Sequence, residues 1–172
     1  SDVCSSDLRL LPILALGFVT AFIGYGLLST GIPAFARAAS GISTQALGWA
    51  FAANTLVIVL LQLVVLQRIE GRRRTRLLCV MAAVWAVSFL CLGASSLVPG
   101  TVMAALLFGA CATVFGLGET FFQPTLPAMV NDLAPDHLRG RYNAMSSLVF
   151  QVASVVAPAI AGFLVGHGLA AG

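Results

Sequence analysis

The chain has 172 residues, of which 59% are hydrophobic and only 9% charged, with a mean hydropathy of +1.00. So little polar surface cannot coat a water-soluble globule, and several apolar runs reach the ~20 residues that cross a ~30 Å hydrocarbon layer. The formal charge is +3 and every basic residue is Arg; the arginines flank apolar runs and no aromatic-rich binding face accompanies them, which excludes a nucleic-acid partner.

The first eight residues, SDVCSSDL, match the translated end of a common short-read sequencing adapter, and no initiator Met precedes them. Ser1 to Leu8 are therefore set aside as a scar. Without them nine arginines face four acids, a net charge of about +5. The remainder, 9–172, is expected to be a fragment whose gene was cut upstream.

Five spans follow in order: Leu10 to Ala38, Gln45 to Gln67, Thr75 to Ala94, Thr101 to Asn131 and Leu138 to His167. Each is apolar nearly all round, as expected of a helix that meets lipid or another helix on every face. The sequence thus predicts an all-α polytopic membrane protein with five transmembrane helices. Glycines recur inside the spans, among them Gly17, Gly24, Gly26, Gly109, Gly116 and Gly118. In a bilayer such small residues let helices approach closely. Ser29 to Pro33 (STGIP) and Gln123 to Pro127 (QPTLP) predict kinks or a broken final turn.

Arginine placement sets the orientation. Arg9, the turn with Arg68, Arg72, Arg73, Arg74 and Arg76, and the loop with Arg139 and Arg141 fall on one side of five spans; Arg37 alone falls on the other. The positive-inside rule puts the crowded side in the cytoplasm, with residue 9 cytoplasmic and residue 172 extracytoplasmic. Cys79, Cys91 and Cys111 lie within spans, with no CxxC and no His at ligand spacing. They read as small buried apolar residues, and neither a disulfide, a metal nor any other cofactor is expected.

The order of spans, the loop IEGRRRTR and the loop DLAPDHLRGRYNAMSS resemble the major facilitator superfamily, in particular bacterial drug–proton antiporters. The resemblance runs from Arg9 to the end. It implies twelve helices in two halves around a central cavity, in the bacterial cytoplasmic membrane, with a small-molecule substrate, a proton and lipid as partners. Members carry G-x-x-x-D-R-x-G-R-R in cytoplasmic loops. Gly71, Arg72 and Arg73 match its G-R-R, whereas Arg68 and Ile69 replace its Asp–Arg pair and Val64 its leading Gly. That departure, and a fourth span without Arg, fit the degenerate carboxy-terminal copy, so the spans are identified with helices seven to eleven. The amino-terminal half and the twelfth helix would then be missing partners, and five helices alone are not expected to transport. The pairs G-Y-G/I-P-A (24–26, 32–34) and G-L-G/L-P-A (116–118, 126–128) give weak support for internal repeats.

Glu119 is the one ionisable residue deep inside a span, ~27 Å along its helix from Thr101. A carboxylate there costs a few kcal/mol, so it is expected to face protein or a watery cavity. It can take up and release a proton or neutralise a cationic substrate; equally, it can be a protonated group bonded to a neighbouring helix. Gln123, four residues on, shares its face and can contact substrate or hold the carboxyl. Asn54 and Gln62 lie about 80° apart around their helix and can face one cavity. Tyr25, Ser29, Gln151 and Ser154 are similar candidates, and for each of these, interhelical packing competes with a substrate role. The third span has almost no polar atoms, which predicts a peripheral helix.

The fourth loop reads either as a gate or as plain anchoring. Asp132 and Pro135-Asp136 stop and restart a helix, and Arg139 and Arg141 can pair with acids or lipid phosphates. Pro158 and Gly162 resemble a degenerate form of the antiporters' proline–glycine motif, and a plain kink with close packing explains them equally well. An enzyme would need a clustered set of acids, bases or nucleophiles, and His137 and His167 are predicted at opposite faces. A metabolite symporter and a non-transporting scaffold or receptor remain the other readings, because a fold does not choose a substrate.

Overall fold

The computed structural model describes residues 2–69 and 71–167, and their side chains except those of 2–9, 165 and 166. The scar reading of Ser1, the side-chain readings at 2–9 (Arg9 included) and the side assigned to residue 172 lie outside the described residues. The helices are α1 (Asp2–Ala21), a π-helical segment (Phe22–Gly31), α2 (Ile32–Ala38), α3 (Thr44–Ile69), α4 (Arg74–Ser95), α5 (Val102–Leu133) and α6 (Arg139–Gly166). Among the described residues five helical stretches are long and apolar enough to cross a membrane: Leu10–Ala38, Thr44–Ile69, Arg74–Ser95, Val102–Leu133 and Asp136–Leu164. An all-α architecture is what a lipid environment demands, since a helix satisfies its own backbone groups.

At neither proline site does the final turn break. At Ser29–Pro33 the helix does not break; it widens one turn earlier into the π segment, where the Ile32 N–H donates to the Leu27 carbonyl five residues back. The hydroxyls of Ser29 and Thr30 both donate to the Gly26 carbonyl at 3.1 Å, feeding the widened turn with extra donors. At Gln123–Pro127 the helix continues: α5 is unbroken for 32 residues, ~48 Å at 1.5 Å per residue. The Thr125 hydroxyl donates to the Phe121 carbonyl at 2.6 Å, within the turn that holds Pro124.

The chain forms two compact units, one of residues up to Ile32 and from Leu126, the other Pro33–Thr125. In the first, Leu10 and Leu14 of α1 pack with Val130 and Ala134 around Tyr142, which is only 1% exposed. The π segment packs on α6. There Gly26 faces Ala157 so closely that a Cβ on Gly26 would overlap the alanine methyl. Ala153, Ala157 and Ala161, spaced four apart, are the buried positions of that α6 face. Gly162, by contrast, has open space beside it, so close packing here belongs to the alanines rather than to the Pro158–Gly162 pair.

In the second unit α3, α4 and α5 up to Thr125 pack through glycine and aromatic contacts. Trp85 stacks on Phe115 with centroids 4.8 Å apart and planes 6° apart, and Phe89 meets the same ring edge-on. The turns on one end are tied together. Gly100, at φ 72°, donates its N–H to the Ser40 carbonyl at 3.0 Å, and the Ser40 and Ser95 hydroxyls are 2.8 Å apart. Two of the few polar atoms of α4 bond to α5: Trp85 Nε1 donates to the Phe115 carbonyl at 3.2 Å and Ser88 Oγ to the Cys111 carbonyl at 2.8 Å. A helix with few polar atoms can spend them on a neighbour, and composition alone does not reveal that.

Candidate functional site

Glu119 lies on α5, and its side chain is 5% exposed. The helix α3 brings Asn54, 6% exposed, to the same place. Asn54 Nδ2 donates to the Ala112 carbonyl at 2.9 Å and reaches Glu119 Oε2 at 3.5 Å. The first is a sound hydrogen bond; the second is at the outer edge of the useful range, so the amide is fixed by the backbone and only leans on the carboxyl. Such a contact suits either protonation state of Glu119, because a carboxylate and a carboxyl group both offer an acceptor oxygen.

Gly116 makes this approach possible. A Cβ there would lie 2.8 Å from Asn54 Nδ2 and 2.9 Å from the Asn54 carbonyl oxygen. Two residues on, Gly118 leaves room for the Trp85 indole, whose Cδ1 and Nε1 would overlap any added methyl. The G-L-G sequence therefore receives α3 at its first glycine and α4 at its second, and Glu119 follows directly. Gly116, Trp85 and the Ala112 carbonyl were not among the sequence candidates. The paired glycines were visible, but nothing in an all-apolar helix says which neighbour each one faces.

The other candidates separate. Gln123 is exposed, unlike Glu119, although both lie on α5; four residues leave a residual turn of about 40°, enough to carry a side chain past the edge of a contact face. Gln62 is half-buried, one face round from Asn54 on α3. The turn between α3 and α4 holds Gly71 at φ 75°, with Arg72 and Arg73 exposed. All of these belong to the Pro33–Thr125 unit. In the other unit Tyr25 is half-buried and meets Phe150 edge-on with centroids 5.1 Å apart. Gln151 and Ser29 are exposed and Ser154 is half-buried, donating to the Phe150 carbonyl at 2.9 Å.

The fourth loop is a short 3-10 turn, Asp136–Leu138, leading into α6. Arg139 pairs with Asp136 at 2.9 Å, both of them exposed. The Asn143 amide ties α6 back to Asn131 Oδ1 at 2.7 Å, while Asp132 and Arg141 are exposed. Cys111 is buried beside Ser88, whereas Cys79 is exposed, contrary to its reading as a buried residue. Among the described residues no group of three His, Cys, Asp or Glu could hold a metal.

A polytopic helical membrane protein with one carboxyl buried at mid-span and glycine-mediated helix contacts is thus defined by fold and site. The model of the Major Facilitator Superfamily matches residues 14–169, and the chain belongs to that family. Its members are membrane transporters rather than enzymes, which implies a membrane environment and a small-molecule substrate. No curated protein and no solved structure matches the chain.

Proposed function

We propose that the chain is part of a proton-coupled exporter of hydrophobic or cationic small molecules, working by alternating access in a bacterial cytoplasmic membrane. In this reading residues 9–172 correspond to helices seven to eleven, and the missing amino-terminal half and twelfth helix complete the cavity. The arginine-rich ends face the cytoplasm. One observation carries the proposal: Glu119 is a buried carboxyl in the middle of a membrane-length helix, touched by an uncharged amide. Asn54 can serve the group in both its protonated and its ionised form. A site that tolerates both forms can load and release a proton once per cycle, or trade the proton for a cationic substrate.

The exposed polar residues Gln123, Ser29 and Gln151 and the half-buried Tyr25 fit a substrate-facing role in this reading, and Gln62 a marginal one. The test is Glu119→Gln in the complete reading frame, recovered by sequencing outward from both ends. Transport driven by a pH gradient in inverted vesicles should disappear while the protein remains inserted at normal abundance. Normal gradient-driven transport by that variant would remove Glu119 from the mechanism, and substrate uptake in the direction of proton entry would favour the metabolite symporter.

A further inference from the structure

The turn between α3 and α4 encloses a cleft of ≈ 390 Å³ lined by Gly71, Arg72, Arg73, Arg76, Leu77 and Val80. Three of the six described residues that line it are arginines. Gly71 adopts a left-handed conformation, φ 75°, directly before Arg72 and Arg73, and Arg73 is the N-cap of α4. Arg72 is held in place, its Nε donating to the Arg68 carbonyl at 3.1 Å. Arg73 and Arg76 stand one turn apart, with the Arg76 N–H donating to the Arg73 carbonyl at 3.0 Å. Below them the lining becomes apolar: Leu77 is buried and Val80 is 44% exposed on the outer face of a membrane-length helix.

Like charges gathered in one small cleft repel, and an anion held among them relieves that repulsion. Guanidinium groups match a phosphate through paired, planar hydrogen bonds. A free phosphate would use the arginines alone, whereas this cleft also has an apolar floor continuous with the side of a spanning helix. That combination fits a molecule with an anionic phosphate head and a hydrocarbon tail, at the level where bilayer headgroups lie. We propose that the Gly71–Val80 cleft is a binding site for the headgroup of an anionic phospholipid, separate from Glu119 and independent of the transport reading. Arg139 supplies the contrast, since that arginine is already paired with Asp136.

The test is native mass spectrometry of the detergent-solubilised chain, titrated with phosphatidylglycerol or with phosphatidylcholine of the same acyl chains. The wild type should retain phosphatidylglycerol at about tenfold lower concentration than phosphatidylcholine, a preference of the size that two interfacial arginines can supply. Arg73→Gln/Arg76→Gln should abolish the preference, and Arg139→Gln should leave it intact. Arg73→Lys/Arg76→Lys keeps the charge but not the planar fork, so its preference should fall between wild type and the glutamine pair; it also provides the readout if the glutamine pair does not fold. An unchanged preference in the glutamine pair, or in the lysine pair where only that folds, overturns the proposal. So does an equal loss in Arg139→Gln, which would mean general attraction to an anionic surface. Displacement of phosphatidylglycerol by millimolar inorganic phosphate overturns the lipid assignment in favour of a free-phosphate site.

Discussion

Gly116→Ala is the sharpest probe of how the buried carboxyl is held. The added methyl would sit 2.8 Å from Asn54 Nδ2 and 2.9 Å from the Asn54 carbonyl oxygen, where comfortable carbon contacts begin near ~3.3–3.6 Å. Something must give by roughly half an ångström. The amide could swing aside, but the carbonyl belongs to the α3 backbone, so relief requires α3 to move away from α5. Overpacking of this kind costs about 1–3 kcal/mol, and the better helix propensity of Ala returns up to about 1 kcal/mol. The expected net loss is therefore about 1–2 kcal/mol, read as an earlier midpoint when the detergent-solubilised chain is unfolded with SDS and followed by circular dichroism. The double-mutant cycle with Asn54→Ala separates the two contacts. Because the backbone oxygen stays, Asn54→Ala should rescue Gly116→Ala only in part. A Gly116→Ala protein as stable as wild type, or full rescue by Asn54→Ala, would refute the close approach of α3.

Gly118→Ala differs in its relief, since there the nearest atoms belong to the Trp85 side chain rather than to backbone. It should lose about 1–3 kcal/mol, and Trp85→Leu in the same chain should cost less than in wild type; an additive cycle would show that the two residues do not meet. Gly26→Ala should be destabilising by a similar ~1–3 kcal/mol and be largely relieved by Ala157→Gly, as measured by the same SDS titration; lack of relief would place the π segment away from α6. Tyr142→Ala should open a cavity among Leu10, Leu14, Val130 and Ala134 and cost about 3–5 kcal/mol, checked by its unfolding midpoint against Tyr142→Phe, which keeps the ring.

The spans were readable because a bilayer selects for length and apolarity, and both are local properties of sequence. Observed and expected ends agree within a few residues, as at Thr44–Ile69 against Gln45 to Gln67. Glu119 was readable for the same reason, being the lone deep carboxyl. What sits beside it was not. Asn54 and Gln62 look alike in sequence, yet Asn54 is the one of the two seen to donate a hydrogen bond to α5, because a helix that is apolar all round carries no face signal. Gln123 shows the limit of spacing arguments: i and i+4 are neighbours along the helix but need not share a burial fate. The π segment left no sequence mark beyond its glycines, hydroxyl residues and the nearby Pro33. These ingredients announced an irregularity at 29–33, whereas the π segment begins at Phe22 and takes in only the first three of those residues.

The continuity of α5 through its two prolines leaves a chemical residue in the backbone. Proline has no N–H, so Pro124 and Pro127 cannot donate to the carbonyls of Thr120 and Gln123. These oxygens belong to the turns that follow Glu119. At membrane depth such acceptors draw in water, a hydroxyl or a donor from a neighbouring helix. Their polarity is written into the main chain, and exchanging Gln123 or Thr120 for an apolar residue would leave it untouched. Side-chain substitution alone therefore cannot remove the polarity beyond Glu119, because two of its backbone carbonyls lack the ladder donor that a non-proline residue would bring.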